Sequence, residues 1–271
     1  MPLNKPLRIL CICLLSGVLS SSFMIPVLVL AQDLSLITEE DAPFNFTKAD
    51  GNPSGFTVEV VQEIQRRLLV APTTKASPIQ VFPWQRAYQA ILDKPNTVVF
   101  PMTRMIEREA LFQWVGPLIE FDWVLVGKKS AKIHLKSVDD AKKLRMIGMV
   151  RGHASARFFL ERGFHNLDFS QATALNVRKL NAGRFDAYCS TELSYLTEIT
   201  QEGSNPEDYE ILLRLNTAQM YIAHSKTTNP AIVAQWQTTI NQMKNDGKLL
   251  SIIKKWFPTS KLPRAARLAI F

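Results

Sequence analysis

The chain has 271 residues, 46% apolar and 21% charged, with 15 Pro and 11 Gly, which excludes a disordered or fibrous protein. That length folds as one large domain or two medium ones, each able to bury a core. The net charge of +8 is scattered, with small clusters at Lys254-Lys255 and at Lys261, Arg264 and Arg267. No dense basic stripe alternates with aromatics, so the sequence argues against nucleic-acid binding. A mild positive field favours an anionic small molecule or is simply solvated surface.

The N-terminus differs from the rest. Lys5 and Arg8 precede a long apolar stretch that closes with Val29-Leu30-Ala31 before polar Gln32-Asp33. A basic start, an apolar run and small residues at −3 and −1 predict a secretory signal peptide over residues 1–31 and a periplasmic mature chain. The alternative is an uncleaved anchor, since roughly 20 apolar residues span a bilayer; Pro26 and Ser20-Ser21-Ser22 weaken a continuous helix there. Cys11 and Cys13 leave with the signal. Cys189 then stands alone, with no internal disulfide partner, and reads as a small buried residue rather than a nucleophile.

From residue 34 onward, strands and helices alternate. Leu34–Ile37 reads as a strand, and Asp50-Gly51-Asn52-Pro53 as a turn. Val60, Val61, Ile64 and Leu68 recur at helical spacing, opposite Glu63, Arg66 and Arg67. A short strand follows at 79–82, a helix at 84–92 and a buried strand at 97–102. Trp123–Val126 is another strand. A second series then comprises a helix at 138–144, a strand at 146–150, helices at 154–161 and 174–182, and a strand at 186–189. Residues 201–208 read as a loop, 219–223 as a strand, and two last helices are split by Asp246-Gly247. The pattern indicates an α/β protein with mostly parallel sheets.

Several runs carry a family resemblance. Pro43-Phe44 with Gly55-Phe56-Thr57-Val58-Glu59-Val60 resembles the "PF…G…GF-x-V-D-L" opening of family 3 bacterial solute-binding proteins, mostly polar amino-acid receptors of ABC importers. Thr103 to Glu109, then Phe112-x-Trp114-Val115-Gly116-Pro117, is similar to the family's "T-x-x-R…F-S-x-P" signature. Val150-Arg151-Gly152-His153-Ala154-Ser155 resembles its "V-x-x-G-T/S" loop, Gly183-Arg184-Phe185-Asp186-Ala187 its "GR-x-DA" run, and Asp246-Gly247-Lys248…Ile252…Lys255-Trp256 its C-terminal "DG…I-x-x-K-W". Each motif alone is weak; five in order, over about 34–257, point to the family.

The resemblance implies a type II periplasmic-binding-protein-like fold with two hinge strands. Lobe 1 would be 32–124 plus 222–271 and lobe 2 would be 125–221, with a ligand between them. It implies a binding protein without catalysis or cofactor, monomeric, closing on a small carboxylate-bearing ligand and presenting it to ABC transporter permease subunits. The alternatives are a periplasmic dehydratase-like enzyme on the same fold, with Glu192 or Asp41 as the acid, and a membrane-anchored ligand-sensing domain. Glycine-serine elbows, His-Glu-x-x-His, cysteine clusters and phosphate loops are absent from the sequence, and four scattered His make a metal site improbable.

Within this resemblance Arg108 is the carboxylate fork, because a guanidinium matches a carboxylate bidentately. The alternative is a surface pair with Glu107 or Glu109. Arg104 is a helper or a surface residue. Thr103 caps the following turn, touches the ligand, or does both. Gly152, His153 and Ala154 open a helix whose free N–H groups favour an anion, and His153 gates the cleft or caps the helix. Trp84 stacks on the ligand or is core; the directions of its neighbours Arg86 and Tyr88 stay open. The chain departs from the family at the ammonium site, where Thr191 and adjacent Glu192 replace an Asp, and where Asp41 precedes Ala42-Pro43-Phe44. With the standard clamp not intact, either Asp41 or Glu192 holds an α-amino group, or the ligand is another small carboxylate or an unusual amine rather than an ordinary L-amino acid.

Overall fold

The computed structural model describes residues 34–68, 76–261 and 263. The expected signal peptide, and Lys261's companions Arg264 and Arg267, lie outside the described residues. In chain order the elements are β1 (Ser35–Thr38), the short pair β2 (Phe46–Thr47) and β3 (Pro53–Ser54), α1 (Phe56–Leu68), β4 (Ile79–Val81), α2 (Trp84–Asp93), β5 (Thr97–Thr103), α3 (Ile106–Glu109) and β6 (Phe112–Lys128). Then follow β7 (Ile147–Val150), α4 (Ala154–Glu161), β8 (Leu167–Ser170), α5 (Thr173–Asn181), β9 (Ala187–Thr191), α6 (Tyr195–Gln201), β10 (Tyr209–Ser225), α7 (Pro230–Asn245) and α8 (Lys248–Trp256).

Eight strands form one sheet in the order β4-β1-β5-β10-β6-β9-β7-β8. The outer pairs are parallel, as the alternation of strands and helices predicts, but β10 runs antiparallel to both β5 and β6, and β6 antiparallel to β9. The expectation of mostly parallel sheets therefore holds only at the two flanks. The centre is antiparallel because two 17-residue strands, β6 and β10, cross the whole molecule side by side. Sequence periodicity shows only their most apolar parts, 123–126 and 219–223. Gly116-Pro117, Glu120 and Asp122 interrupt the first, and Arg214, Asn216 and Thr217 the second.

Each flank has its own core. Ile37, Ala87, Ile91, Val99, Met102, Phe112 and Ala223 pack together on one side. Val124, Val126, Val177, Leu180, Phe185, Tyr188 and Ile199 pack on the other. Burial of side chains such as these contributes about 1.5–3 kcal/mol each, so either flank has a core of its own. Register shifts in the β6/β10 ladder fall between Ile211 and Leu213, Arg214 and Thr217, and Met220 and Ile222, the last two close to the positions where the chain passes from one core to the other. Bulges add local twist and bend a strand.

Local differences from the sequence reading are few. The helix expected over 138–144 is a 3-10 turn, Asp139–Lys143, with Asp140 accepting from the backbone of Lys136 and Ser137. The loop expected over 201–208 begins inside α6 and contains a second 3-10 turn, Pro206–Asp208, capped by Asn205. β8 alternates apolar and polar residues (Leu167, Asp168, Phe169, Ser170) over only four positions; the sequence reading passes over it, and it pairs in parallel with β7.

Candidate functional site

Several strands of the two flanks end at a common groove. β5 ends there at Thr103, β1 leads into Glu39 and Asp41, β9 ends at Thr191, and β7 ends at the turn into α4. Pro101 lacks an N–H, and the β5/β10 ladder shifts register opposite it, between Tyr221 and Ala223. The strand thereby bends where its end enters the groove.

An inner cavity of about 70 Å³ is lined by Glu39, Asp41, Trp84, Thr103, Arg108 and, from the other flank, His153, with Ala154, Ser155 and Thr191 beside it. Its apolar walls are Phe121, Trp123 and Met220. Seven of the nine residues that sequence reasoning selected thus meet there: Arg108, Thr103, Trp84, His153, Ala154, Thr191 and Asp41. Gly152 lines the adjoining outer groove. Glu192 does not join them. β9 ends at Thr191, and Glu192, in the turn that follows, lines a separate depression with Leu193, Tyr195 and Arg214. There it pairs with Arg214 and accepts from the Asp122 N–H at 3.4 Å. Its expected role as ammonium partner or acid is therefore not one this geometry allows.

Arg108 is only 8% exposed, yet among the described residues no carboxylate lies in ion-pair contact with it. Nη1 donates to the Thr103 carbonyl at 3.3 Å and Nη2 to the Gly152 carbonyl at 3.2 Å, across the groove. The guanidinium also sits 5.4 Å from the Trp84 ring centre and 5.2 Å from that of Tyr88. Burial pushes its pKa down. The expected alternative, a pair with Glu107 or Glu109, is not formed: Glu109 is taken by Arg104 at 2.5 Å. Arg104 lies over Trp114 and Tyr221 and is a neutralised neighbour. Arg86 stacks on Phe82, 3.9 Å from the ring centre, outside the inner cavity.

The turn 150–154 brings its carbonyl, as well as its amides, to the groove. Gly152 has φ +78°, and a Cβ there would stand 3.3 Å from Trp84 Cδ1 and Nε1, so the backbone approach needs glycine. Trp84 Nε1 donates to the Gly152 carbonyl at 3.0 Å. His153 occupies the N-cap position of α4 without capping it; Nε2 lies 3.2 Å from Glu39 Oε2, across the groove. The N–H groups of Ala154 and Ser155 begin α4 with no acceptor one turn earlier in the helix. Thr103 likewise caps nothing, since α3 starts after Met105 without a side-chain cap. Thr191 is partly engaged: its hydroxyl contacts Ser194 Oγ at 2.8 Å and accepts from the Ser194 N–H.

Asp41 is the second ionisable group of the cavity without an ion partner among the described residues. No hydrogen bond or ion pair reaches its carboxylate among the described residues, and its pKa is raised well above the usual range by burial, then by Glu39 and Glu198. Glu198 sits in a smaller pocket of about 40 Å³ that also touches Asp41, Thr173, Ser190 and Thr191. It accepts from the hydroxyls of Tyr188, Ser190 and Ser194 at 2.7–3.0 Å, and burial raises its pKa as well. Sequence reasoning missed Glu39, Trp123 and Glu198. Glu39 had a signal, since it shares strand parity with Asp41; Glu198 sits on a helix with no motif. Cys189 is buried and its thiol is pushed up to about 12, so it is no thiolate nucleophile at neutral pH. No group of His, Cys, Asp and Glu among the described residues has a metal-holding arrangement, and no described helix is long and apolar enough to cross a membrane.

Two cores joined by two long shared strands, with a polar groove at the strand ends, define the type II periplasmic binding proteins, and solved structures of that class superpose on this chain. The chain belongs to the bacterial extracellular solute-binding proteins, family 3, whose family profile matches residues 34–259. A relative described as a probable histidine-binding protein, from Neisseria gonorrhoeae, is 22% identical over 222 residues, 80% of each chain. An ABC uptake transporter substrate binding protein from Streptococcus pneumoniae with bound histidine superposes with TM-score 0.73 at 17% identity, covering 86% of this chain and 95% of that one. A histidine kinase sensor domain with similarity to periplasmic binding proteins gives TM-score 0.75 at 15% identity, covering 84% and 98%.

Proposed function

We propose that the protein captures a small zwitterionic solute, an amino acid or a close derivative, in the inner cavity and closes on it. The observation that carries this reading is Arg108: a buried guanidinium held by two carbonyls and the Tyr88 hydroxyl, with no carboxylate in ion-pair contact among the described residues. An unpaired buried charge costs several kcal/mol, and a ligand carboxylate would offset that cost with a bidentate, charge-assisted pair. Thr103 from one flank and the Ala154 and Ser155 N–H groups from the other would take the remaining carboxylate lone pairs. The ligand ammonium would go to Asp41, with Glu39 beside it and Trp84 and Trp123 as apolar walls.

The mechanism is selection of the closed arrangement. Groups of 32–124 and 222–271 would hold one side of the ligand and groups of 125–221 the other, so that a bound ligand bridges both and shifts the open–closed equilibrium. Family membership supports export to the periplasm behind residues 1–31 and delivery to ABC permease subunits by a monomer. The relative described as histidine-binding supports an amino-acid ligand. Native mass spectrometry of gently purified protein tests the reading: a retained mass matching a zwitterion supports it. A retained neutral sugar or metal complex would overturn it.

A further inference from the structure

The inner cavity of about 70 Å³ holds a few water-sized volumes, less than ligand sites usually provide. Outward from Arg108, between α2 and α4, a groove of about 830 Å³ opens. Trp84, Arg108 and His153 line both spaces. These side chains form the boundary between the two spaces, and a ligand carboxylate that takes Arg108 in place of the Gly152 carbonyl would extend its body into the groove.

The groove has its own chemistry. Tyr88, Leu160 and Phe169 give it apolar walls, and Leu160 is 53% exposed, a large side chain left facing water. Two arginines stand on its rim. Arg157 is neutralised by Glu161 at 2.6 Å. Arg151 makes no ion pair among the described residues and lies over the Phe169 ring at 5.3 Å. Its guanidinium edge is thus available to an incoming acceptor while its face is held on an aromatic.

Resting on the reading of the inner cavity as the head-group site, we infer that the outer groove is a second subsite for an aromatic segment ending in a carboxylate. The ring lies against Trp84 and Tyr88, and the distal carboxylate meets Arg151. The preferred ligand class is then an extended amino acid with a second acid, not a compact one.

Isothermal titration with a matched pair of probes, L-phenylalanine and 4-carboxy-L-phenylalanine, tests this. The two share the head group and the ring. A rim ion pair is worth up to about 1 kcal/mol, so the carboxylated probe should bind roughly fivefold tighter to the wild-type protein. Arg151→Gln should erase that difference and leave L-phenylalanine affinity within about twofold, and Arg151→Lys should restore part of it. Equal affinities in the wild type, or a difference that survives in Arg151→Gln, would overturn the subsite alone. Failure of both probes to bind would overturn the head-group reading and the subsite with it.

Discussion

The groove at the strand ends and the depression behind it, around Glu192, both gather charged residues at the middle of the β6/β10 ladder, and they are built on opposite rules. In the rear depression the acids are engaged: Arg214 reaches both Glu192 and Asp122, Asp122 also accepts from Thr217 at 2.7 Å, and Glu120 accepts from Gln219 Nε2 at 2.9 Å. In the groove Arg108 and Asp41 stand without ion-pair partners, beside a cavity. Exposed, paired charges contribute little, typically 0–1 kcal/mol, and ask for nothing further. Desolvated, unpaired ones carry a standing cost that a ligand can relieve. Pairing status, more than charge density, separates a receptive surface from a solvated one.

Breaking the groove side should give the largest effect. Arg108→Ala removes the bidentate partner and should weaken binding of a zwitterionic ligand at least a hundredfold, about 3 kcal/mol. The same change relieves an unpaired buried charge, so unliganded thermal stability should be kept or raised. Titration calorimetry with a melting curve checks both, and normal binding would end the carboxylate-fork proposal.

His224 marks the limit of the rule, because it is unpaired but faces no cavity. Its ring is fully buried edge-on to Trp236, neither nitrogen is hydrogen-bonded, and burial pushes its pKa down to about 3. The unfolded imidazole takes a proton near 6.5 while the folded one resists until about 3, so stability present above pH 6.5 is lost as pH falls through that window. The slope is about 1.4 kcal/mol per pH unit. His224→Leu should flatten this fall without touching ligand affinity; urea unfolding at pH 7, 5 and 4 reads it.

Asp41→Asn should cost about tenfold or more in affinity for an ammonium-bearing ligand. Because the carboxyl must be ionised to hold a cation and its pKa is raised, wild-type affinity should fall as pH is lowered through that raised value. The variant should lose this dependence, and an unchanged pH profile would place the ammonium elsewhere. Gly152→Ala meets Trp84 at 3.3 Å in a positive-φ turn; destabilisation of about 1 kcal/mol and looser closure should follow. Smallest of all, Glu192→Gln should leave affinity unchanged and shift stability by under about 0.5 kcal/mol. A large loss of binding there would reverse the comparison.

Much of this was legible in order and spacing. The apolar run before Thr103 and the turn glycines place β5, α4 and α5 within a residue or two, and recurrence over Val60, Val61 and Ile64 finds α1 but starts it four residues late, since these signals are local. The position of Arg108 after a buried strand also marked it out. The competition between Glu107, Glu109 and Arg104 for the same charges was not readable. It was settled by the short α3, which aims Arg108 inward while Glu109 folds back onto Arg104.

What the sequence determined by itself is most of the longer elements and the family they compose, because periodicity, turn residues and motif order are properties of neighbouring positions. Which acid faces the groove was decided only in three dimensions. The antiparallel pairing of β6 with β9 ends at Thr191, the turn that follows carries Glu192 to a separate depression, and the chain after β1 carries Glu39 and Asp41 to the groove from a distant stretch. A register is a relation between strands far apart in the chain, so no local pattern encodes it.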